Sequence, residues 1–185
     1  MSAQPVPVAD EDRLLAAYRA GDRAAAEDLV KASYRTIYAA LFRLCSGDQE
    51  LAADLTQEAY RRAWAALPRF RGGSRFSTWI YRIAYNTFLN HVRRPRRLVE
   101  LPDEVPVVDP APGPEESVGL DLEGERLRKA VLELPEDLRF TVSARYWGEC
   151  PVREIAEHEG ITPTAVRKRL KKALGLLAGI LEEAS

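Results

Sequence analysis

Pro151-Val-Arg-Glu-Ile-Ala-Glu-His-Glu-Gly160-Ile-Thr-Pro-Thr-Ala-Val-Arg-Lys-Arg-Leu170 reads as two helices hinged at a glycine. Proline is tolerated in a helix's first turn, and Gly160 stands where a helix ends and positive φ costs least. Thr162 can cap the next helix at once, with Pro163 in its first turn. Ala156 is small where two helices cross, and Val166 can pack the second back onto the first. The spacing therefore predicts a helix-turn-helix. At about 100° per residue, Val166, Leu170, Ala173, Leu174, Leu177 and Leu181 share one apolar arc. Thr164, Lys168, Lys171 and Lys172 lie opposite, flanked by Arg167 and Arg169. With Thr162 and Ala165 at its start, the second helix carries a basic face suited to the major groove, where it meets phosphates and base edges. A helical hairpin with a lysine-rich outer face is the competing reading.

The charge pattern around this motif points to a polyanion. The 185 residues have a net charge of −1, from 27 basic and 28 acidic groups, which by itself suggests indifference to nucleic acid. Cutting the chain where the sign changes alters that conclusion. Residues 59–99 hold ten Arg and no acid, 100–125 hold nine acids and no base, and 161–181 hold five bases and no acid. Two basic blocks divided by an acidic one are the footprint of a polyanion binder with two contact sites. Eight of the fifteen aromatic residues, from Tyr60 to Phe88, fall inside the ten-arginine block. Rings stack on exposed bases for about 1–3 kcal/mol each, and arginines among them neutralise phosphates.

Apolar spacings of three and four run through most of the chain, and no alternating β-branched run is long enough for a strand, so the expected fold is all-α. Helices are predicted over 10–20, 22–45, 48–67 and 76–94, ended by Gly21, Gly47, Pro68 and Pro95. Further helices are predicted over 121–133, 136–147, 151–159 and 163–181. The organisation is two small helical domains, 10–95 and 120–183, joined by a flexible acidic, proline-rich linker at 96–119. The C-terminal domain holds the helix-turn-helix. At about 3.3–3.6 Å per residue the tether lets the domains touch sites roughly 80 Å apart. Trp64, Trp79 and Phe88 are expected in the core.

Several classes of protein are excluded. No apolar run approaches the roughly 20 residues that cross a bilayer, and the first nine residues offer neither positive charge nor a continuous apolar segment for a secretory signal. No membrane insertion and a cytoplasmic location are expected. Cys45 and Cys150 are too few and too far apart for a disulfide framework. Cys45, His91, Cys150 and His158 lack paired ligand spacing, so no metal and no other cofactor is expected. No nucleophile has a base and an oxyanion site beside it, which argues against an enzyme.

Asp54-Leu-Thr-Gln-Glu-Ala-Tyr-Arg-Arg-Ala-Trp64 and Phe70-Arg-Gly-Gly-Ser-Arg-Phe-Ser-Thr-Trp-Ile-Tyr-Arg-Ile-Ala-Tyr-Asn86 resemble the most recognisable stretch of the extracytoplasmic-function (ECF) sigma factors, bacterial transcription-initiation subunits. Leu134-Pro135, Arg145-Tyr146, Glu154-Ile-Ala156 and Val166-Arg167 are similar to that family's second domain, in its order and spacing. The resemblance implies a sigma factor that binds core RNA polymerase, directs it to promoter DNA and helps melt the duplex. It also implies an anti-sigma factor as a further partner.

On this likeness Asp54, Gln57, Glu58 and Arg61 dock on core polymerase. The periodicity agrees in leaving Asp54, Gln57 and Arg61 away from the apolar arc of Leu55, Ala59 and Ala63. Arg69, Arg71, Gly72, Gly73, Ser74 and Arg75 with Trp79, Arg82, Tyr85 and Asn86 correspond to the family's reader of the upstream promoter-melting element. Gly72-Gly73 lets backbone approach an extruded base, and the arginines hold the phosphates around it. Capturing that base shifts the duplex towards its open, single-stranded form with no chemical step. The family's recognition helix often begins Gly-Thr where this chain has Thr164-Ala165, and often has Arg at Leu174, so base preference does not transfer. Two other readings remain at this point: a sigma-like chain that only sequesters a partner, and a helix-turn-helix repressor.

Overall fold

The computed structural model describes residues 8–93 and 122–183, with side chains from 10 and 123 onward. Among them are eight helices: α1 (Val8–Arg19), α2 (Arg23–Leu44), α3 (Gln49–Ala66), α4 (Phe76–Arg93), α5 (Leu122–Glu133), α6 (Glu136–Tyr146), α7 (Val152–Glu159) and α8 (Pro163–Glu183). The expected linker 96–119 and the expected helix end at Arg94 lie outside the described residues. The all-α class is as the periodicity required.

Local chemistry accounts for the boundaries. Asp22 accepts the Ala24 N–H and Asp48 the Leu51 N–H, both at 3.0 Å, and Thr162 accepts the Ala165 N–H at 3.1 Å. Each such cap is worth about 1 kcal/mol. Gly160 ends α7 at φ +64°, the left-handed conformation its position called for. Pro68 does not end the helical path at once, because Leu67–Arg69 continues as one 3₁₀ turn with the proline near its start.

The N-terminal domain is built on α2, α3 and α4, with α1 laid along α2. In the C-terminal domain α8 carries α5, α6 and α7. The two domains do not stand apart as a long tether would permit. Their buried residues form one continuous core, and α4 is its shared wall. On α4 the helical spacing puts Ile80, Ile83, Ala84 and Thr87 on one face; Ile80, Ala84 and Thr87 are buried and Ile83 half-buried, but Tyr81 and Tyr85 are buried as well. Those two rings meet Phe140 of α6, at 6.4 and 4.9 Å between centroids. The backbone of Gly148 lies against Tyr81 so closely that a Cβ there would overlap the ring. Glu149 adopts φ +54°, which costs a non-glycine residue about 1–2 kcal/mol. Further along the seam, Arg128 of α5 is buried with its guanidinium 5.9 Å from the Phe42 ring of α2. Arg93 and Glu136 pair at 2.6 Å on the outside, where such a pair adds little stability.

Two expectations about the core fail. Trp64 is 48% exposed and Leu174 is 47% exposed. Trp64 sits on the outer side of α3, one residue past the buried Ala63. The α8 seam is narrower than its apolar arc, since Val166, Leu170, Ala173 and Leu177 fill it and leave Leu174 at the edge. Phe88 is buried as expected, and Trp79 is only half-buried.

Gly148→Ala should loosen the domain seam, at a cost of about 1–3 kcal/mol for overpacking. Small-angle scattering should read a larger radius of gyration than for the wild-type chain, with helix content unchanged by circular dichroism.

Candidate nucleic-acid and polymerase interface

The segment between the 3₁₀ turn and α4 is a bare loop held by rings. Phe70 lies tilted against Trp79 at 4.7 Å and meets Phe76 edge-on at 6.3 Å. Gly72 adopts φ +78°, and beside the exposed Gly73 a Cβ would meet nothing within 4 Å. Arg69 and Arg71 are exposed, and neither guanidinium pairs with a described residue. The Ser74 hydroxyl donates to the Arg75 carbonyl at 3.3 Å. The structure thus brings together an open backbone at Gly73, two exposed cations without a partner among the described residues, and an aromatic wall.

Arg75 is engaged differently. Its side chain pairs with Glu154 of α7 at 3.4 Å and donates to the Glu149 carbonyl at 3.1 Å, while its backbone N–H donates to Glu154 at 3.1 Å. A carboxylate therefore occupies the place where a phosphate was expected. Tyr85, expected on the outer face of α4 near DNA, is instead buried edge-on under Phe140, because the C-terminal domain covers that face. Its hydroxyl finds no hydrogen-bond partner among the described residues, and burial pushes its pKa up to about 12. Arg82 is half-buried and Asn86 exposed. Between the loop and α7 lies an open cleft of about 470 Å³ whose walls include Arg69, Arg71, Trp79 and Arg82 on one side and Glu154 and His158 on the other. Burial, reinforced by the Arg82 cation, lowers the His158 pKa to about 4, and its ring packs edge-on against Phe140 at 5.0 Å.

Thr162, just before α8, and Thr164, Arg167, Lys168, Lys171 and Lys172 on it are exposed, and no described carboxylate pairs with these four cations. Ala165 is half-buried. Arg169 departs from the expected basic face: it is tied to Glu159 at 2.7 Å and Asp137 at 3.6 Å, so it braces α8 against α7 and α6. On α3, Asp54, Gln57 and Arg61 are exposed, and the half-buried Glu58 is bound by both Arg61 and Arg62. Trp64 extends this stripe by three residues, within an arc of about 80°. Its spacing from Gln57 and Arg61 was a signal that the core reading passed over. Glu154 and Gly148 had no comparable signal, since both act across the domain seam.

Among the described residues no helix is long and apolar enough to cross a membrane, and no three His, Cys, Asp or Glu side chains group as a metal site. Burial raises the thiol pKa values of Cys45 and Cys150 to about 12, so neither is poised as a nucleophile.

Helical domains carrying a glycine-arginine loop and a basic helix-turn-helix define a sigma-type subunit of bacterial transcription. Residues 29–98 match the model for Sigma-70 region 2 and residues 124–177 that for Sigma-70, region 4. The ECF RNA polymerase sigma factor SigM of Mycobacterium tuberculosis is 30% identical over 170 residues, spanning 91% of this chain and 83% of its own. The RNA polymerase sigma-H factor of Pseudomonas aeruginosa is 32% identical over 117 residues, 56% of this chain and 59% of its own. The chain belongs to the ECF sigma factors. It binds core RNA polymerase and promoter DNA and directs promoter-specific initiation. Among solved structures, CnrH in complex with the cytosolic domain of CnrY matches with a TM-score of 0.70 and 20% identity, over 95% of this chain and 99% of that one. The sigma factor RpoE of Bartonella quintana, in complex with the anti-sigma factor NepR, matches at 0.61 and 21%, over 84% and 96%.

His158 gains protons on unfolding wherever the pH lies between about 4 and the 6.5 of a free imidazole. Its share of the stability is therefore complete above 6.5 and falls as the pH drops towards 4. In urea melts, His158→Gln should flatten the loss of stability over that window relative to wild type.

Proposed function

We propose that the loop from Arg69 to Arg75 captures a base extruded from the upstream promoter-melting element, while the exposed face of α8 reads the duplex farther upstream. The observation that carries this is the pairing of exposed Arg69 and Arg71, which have no partner among the described residues, with the open backbone at Gly73 beside Trp79. Arg guanidinia hold phosphates, the glycines admit a base, and the indole offers a stacking face. Trapping an unpaired base favours the open duplex by mass action, so the chain performs no reaction of its own and is not an enzyme. We assign residues 10–95 to polymerase binding and melting, 96–119 to a linker, and 120–183 to upstream recognition. The face of Asp54, Gln57, Glu58 and Arg61 is the polymerase dock, with Trp64 as its aromatic anchor.

Promoter binding needs the domains to part. The Glu154 carboxylate competes with phosphate for Arg75, and Phe140 covers Tyr85, so the closed packing and the promoter-bound state exclude one another. An anti-sigma factor that favours this closed packing is the partner to expect, given that the matching RpoE of Bartonella quintana is in complex with an anti-sigma factor. The protein acts in the cytoplasm, where its polymerase is.

Reconstitution with core polymerase, followed by sequencing of the transcripts, tests the proposal and supplies the promoter. Arg71→Ala should lower permanganate reactivity of the melted region about tenfold with core affinity unchanged, and Trp64→Ala should weaken core affinity by a similar factor. Wild-type strand opening by Arg71→Ala would defeat the base-capture reading.

Lys168→Ala should weaken duplex binding and flatten the log–log salt slope by roughly 0.9 if one phosphate contact is lost. A slope equal to wild type would move Lys168 off the phosphates.

A further inference from the structure

We infer that α1, which lies before the matched family region at 29–98, is a clamp that sets the conformation of the base-capture loop, with Arg19 and Glu11 as positioning residues. This rests on the reading of the Arg69–Arg75 loop given above and adds to it the part that holds the loop in shape.

The loop has no ladder or helical hydrogen bonds of its own between Phe70 and Arg75, so its backbone must be fixed from outside. Two side chains of α1 do this near its two ends, alongside Glu154 of α7, which accepts the Arg75 N–H at 3.1 Å. Where the loop begins, the Arg19 guanidinium donates to the Phe70 carbonyl at 2.9 Å. The same guanidinium runs under the middle of the loop, with Nη2 3.4 Å from the point where a Cβ on Gly72 would stand. Where the loop ends, the Glu11 carboxylate accepts the Ser77 N–H at 3.3 Å. That N–H belongs to the first turn of α4, where no intrahelical acceptor exists. A carboxylate there also meets the positive end of the helix dipole.

The two contacts differ in setting. Glu11 is buried, at 8% exposure, and shares its helix with the buried Leu15, which anchors α1 to the core. Arg19 is exposed, so its charge is not needed to fill the core. An exposed arginine reaching 51 residues along the chain to one loop carbonyl serves the loop. Its guanidinium adds a cation against Gly72, in a loop that carries the exposed Arg69 and Arg71.

The test uses holoenzyme reconstituted with the wild-type chain, Arg19→Ala, Arg19→Lys, Glu11→Ala, Glu11→Gln or Arg71→Ala on a promoter fragment taken from the sequenced transcripts. Permanganate reactivity reads strand opening, and anisotropy with labelled core polymerase reads docking. Arg19→Ala should reduce opening about tenfold, the loss of one charge-assisted hydrogen bond, with core affinity within about twofold of wild type. Arg19→Lys should recover part of it, because an ammonium reaches the Phe70 carbonyl but does not spread beneath Gly72. Glu11→Ala should act like Arg19→Ala, whereas Glu11→Gln should open promoters well, since its amide oxygen still accepts the Ser77 N–H. Wild-type opening by Arg19→Ala beside impaired Arg71→Ala would overturn the clamp and spare the loop. If both open normally, the loop reading itself falls, and the clamp with it. A parallel loss of core affinity in Arg19→Ala would make the residue a general support of the domain and overturn the proposal as well.

Discussion

Gly148 resting on the ring of Tyr81 is the contact on which the arrangement of the two domains depends. A glycine there brings backbone within ring-contact distance of α4, and that closeness lets Phe140 reach Tyr85 and Glu154 reach Arg75. One extra methylene-sized group would push the domains apart along the length of α4. The helix accordingly carries rings on both flanks of its sequence, since it packs against its own domain and its neighbour at once. Edge-on aromatic pairs of this kind add about 0.5–1.5 kcal/mol each beyond the area they bury.

The seam also contains features that oppose it. The Tyr85 hydroxyl is buried without a partner, and such a group costs about 1–3 kcal/mol. Glu149 holds a backbone conformation that glycine would adopt more easily. Arg75 draws on a carboxylate and a carbonyl that substitute for phosphate without matching its charge. Under the proposed function, these opposing features lie in the packing that promoter DNA would displace. Arg69 and Arg71, which have no partner among the described residues, line the same cleft.

Much of the fold was legible because caps and breakers act locally. Asp22, Asp48, Thr162 and Gly160 each mark a helix end, and each does so through a bond or a φ angle within three residues of itself. The candidate site was legible in part for the same reason: an Arg-Gly-Gly-Ser-Arg loop states its chemistry in consecutive residues. Trp64 was misread because a tryptophan near an apolar arc is usually core, and only packing decides which side of the arc stays wet. Leu174 was misread because an arc of about 100° is wider than the seam that a neighbouring helix can cover.

Sequence alone determined the helices, most of their ends, the separation of basic from acidic blocks and the basic outer face of α8, since all of these depend on neighbours within a few residues. Tertiary structure decided which cations are free and which are spent: Arg75 on Glu154, Arg169 on Glu159 and Arg19 on the Phe70 carbonyl. It also decided that Tyr85 is covered. Those outcomes turn on partners from 10 to 79 residues away, and no periodicity reports on a partner at that distance, because it is chosen by how two surfaces meet.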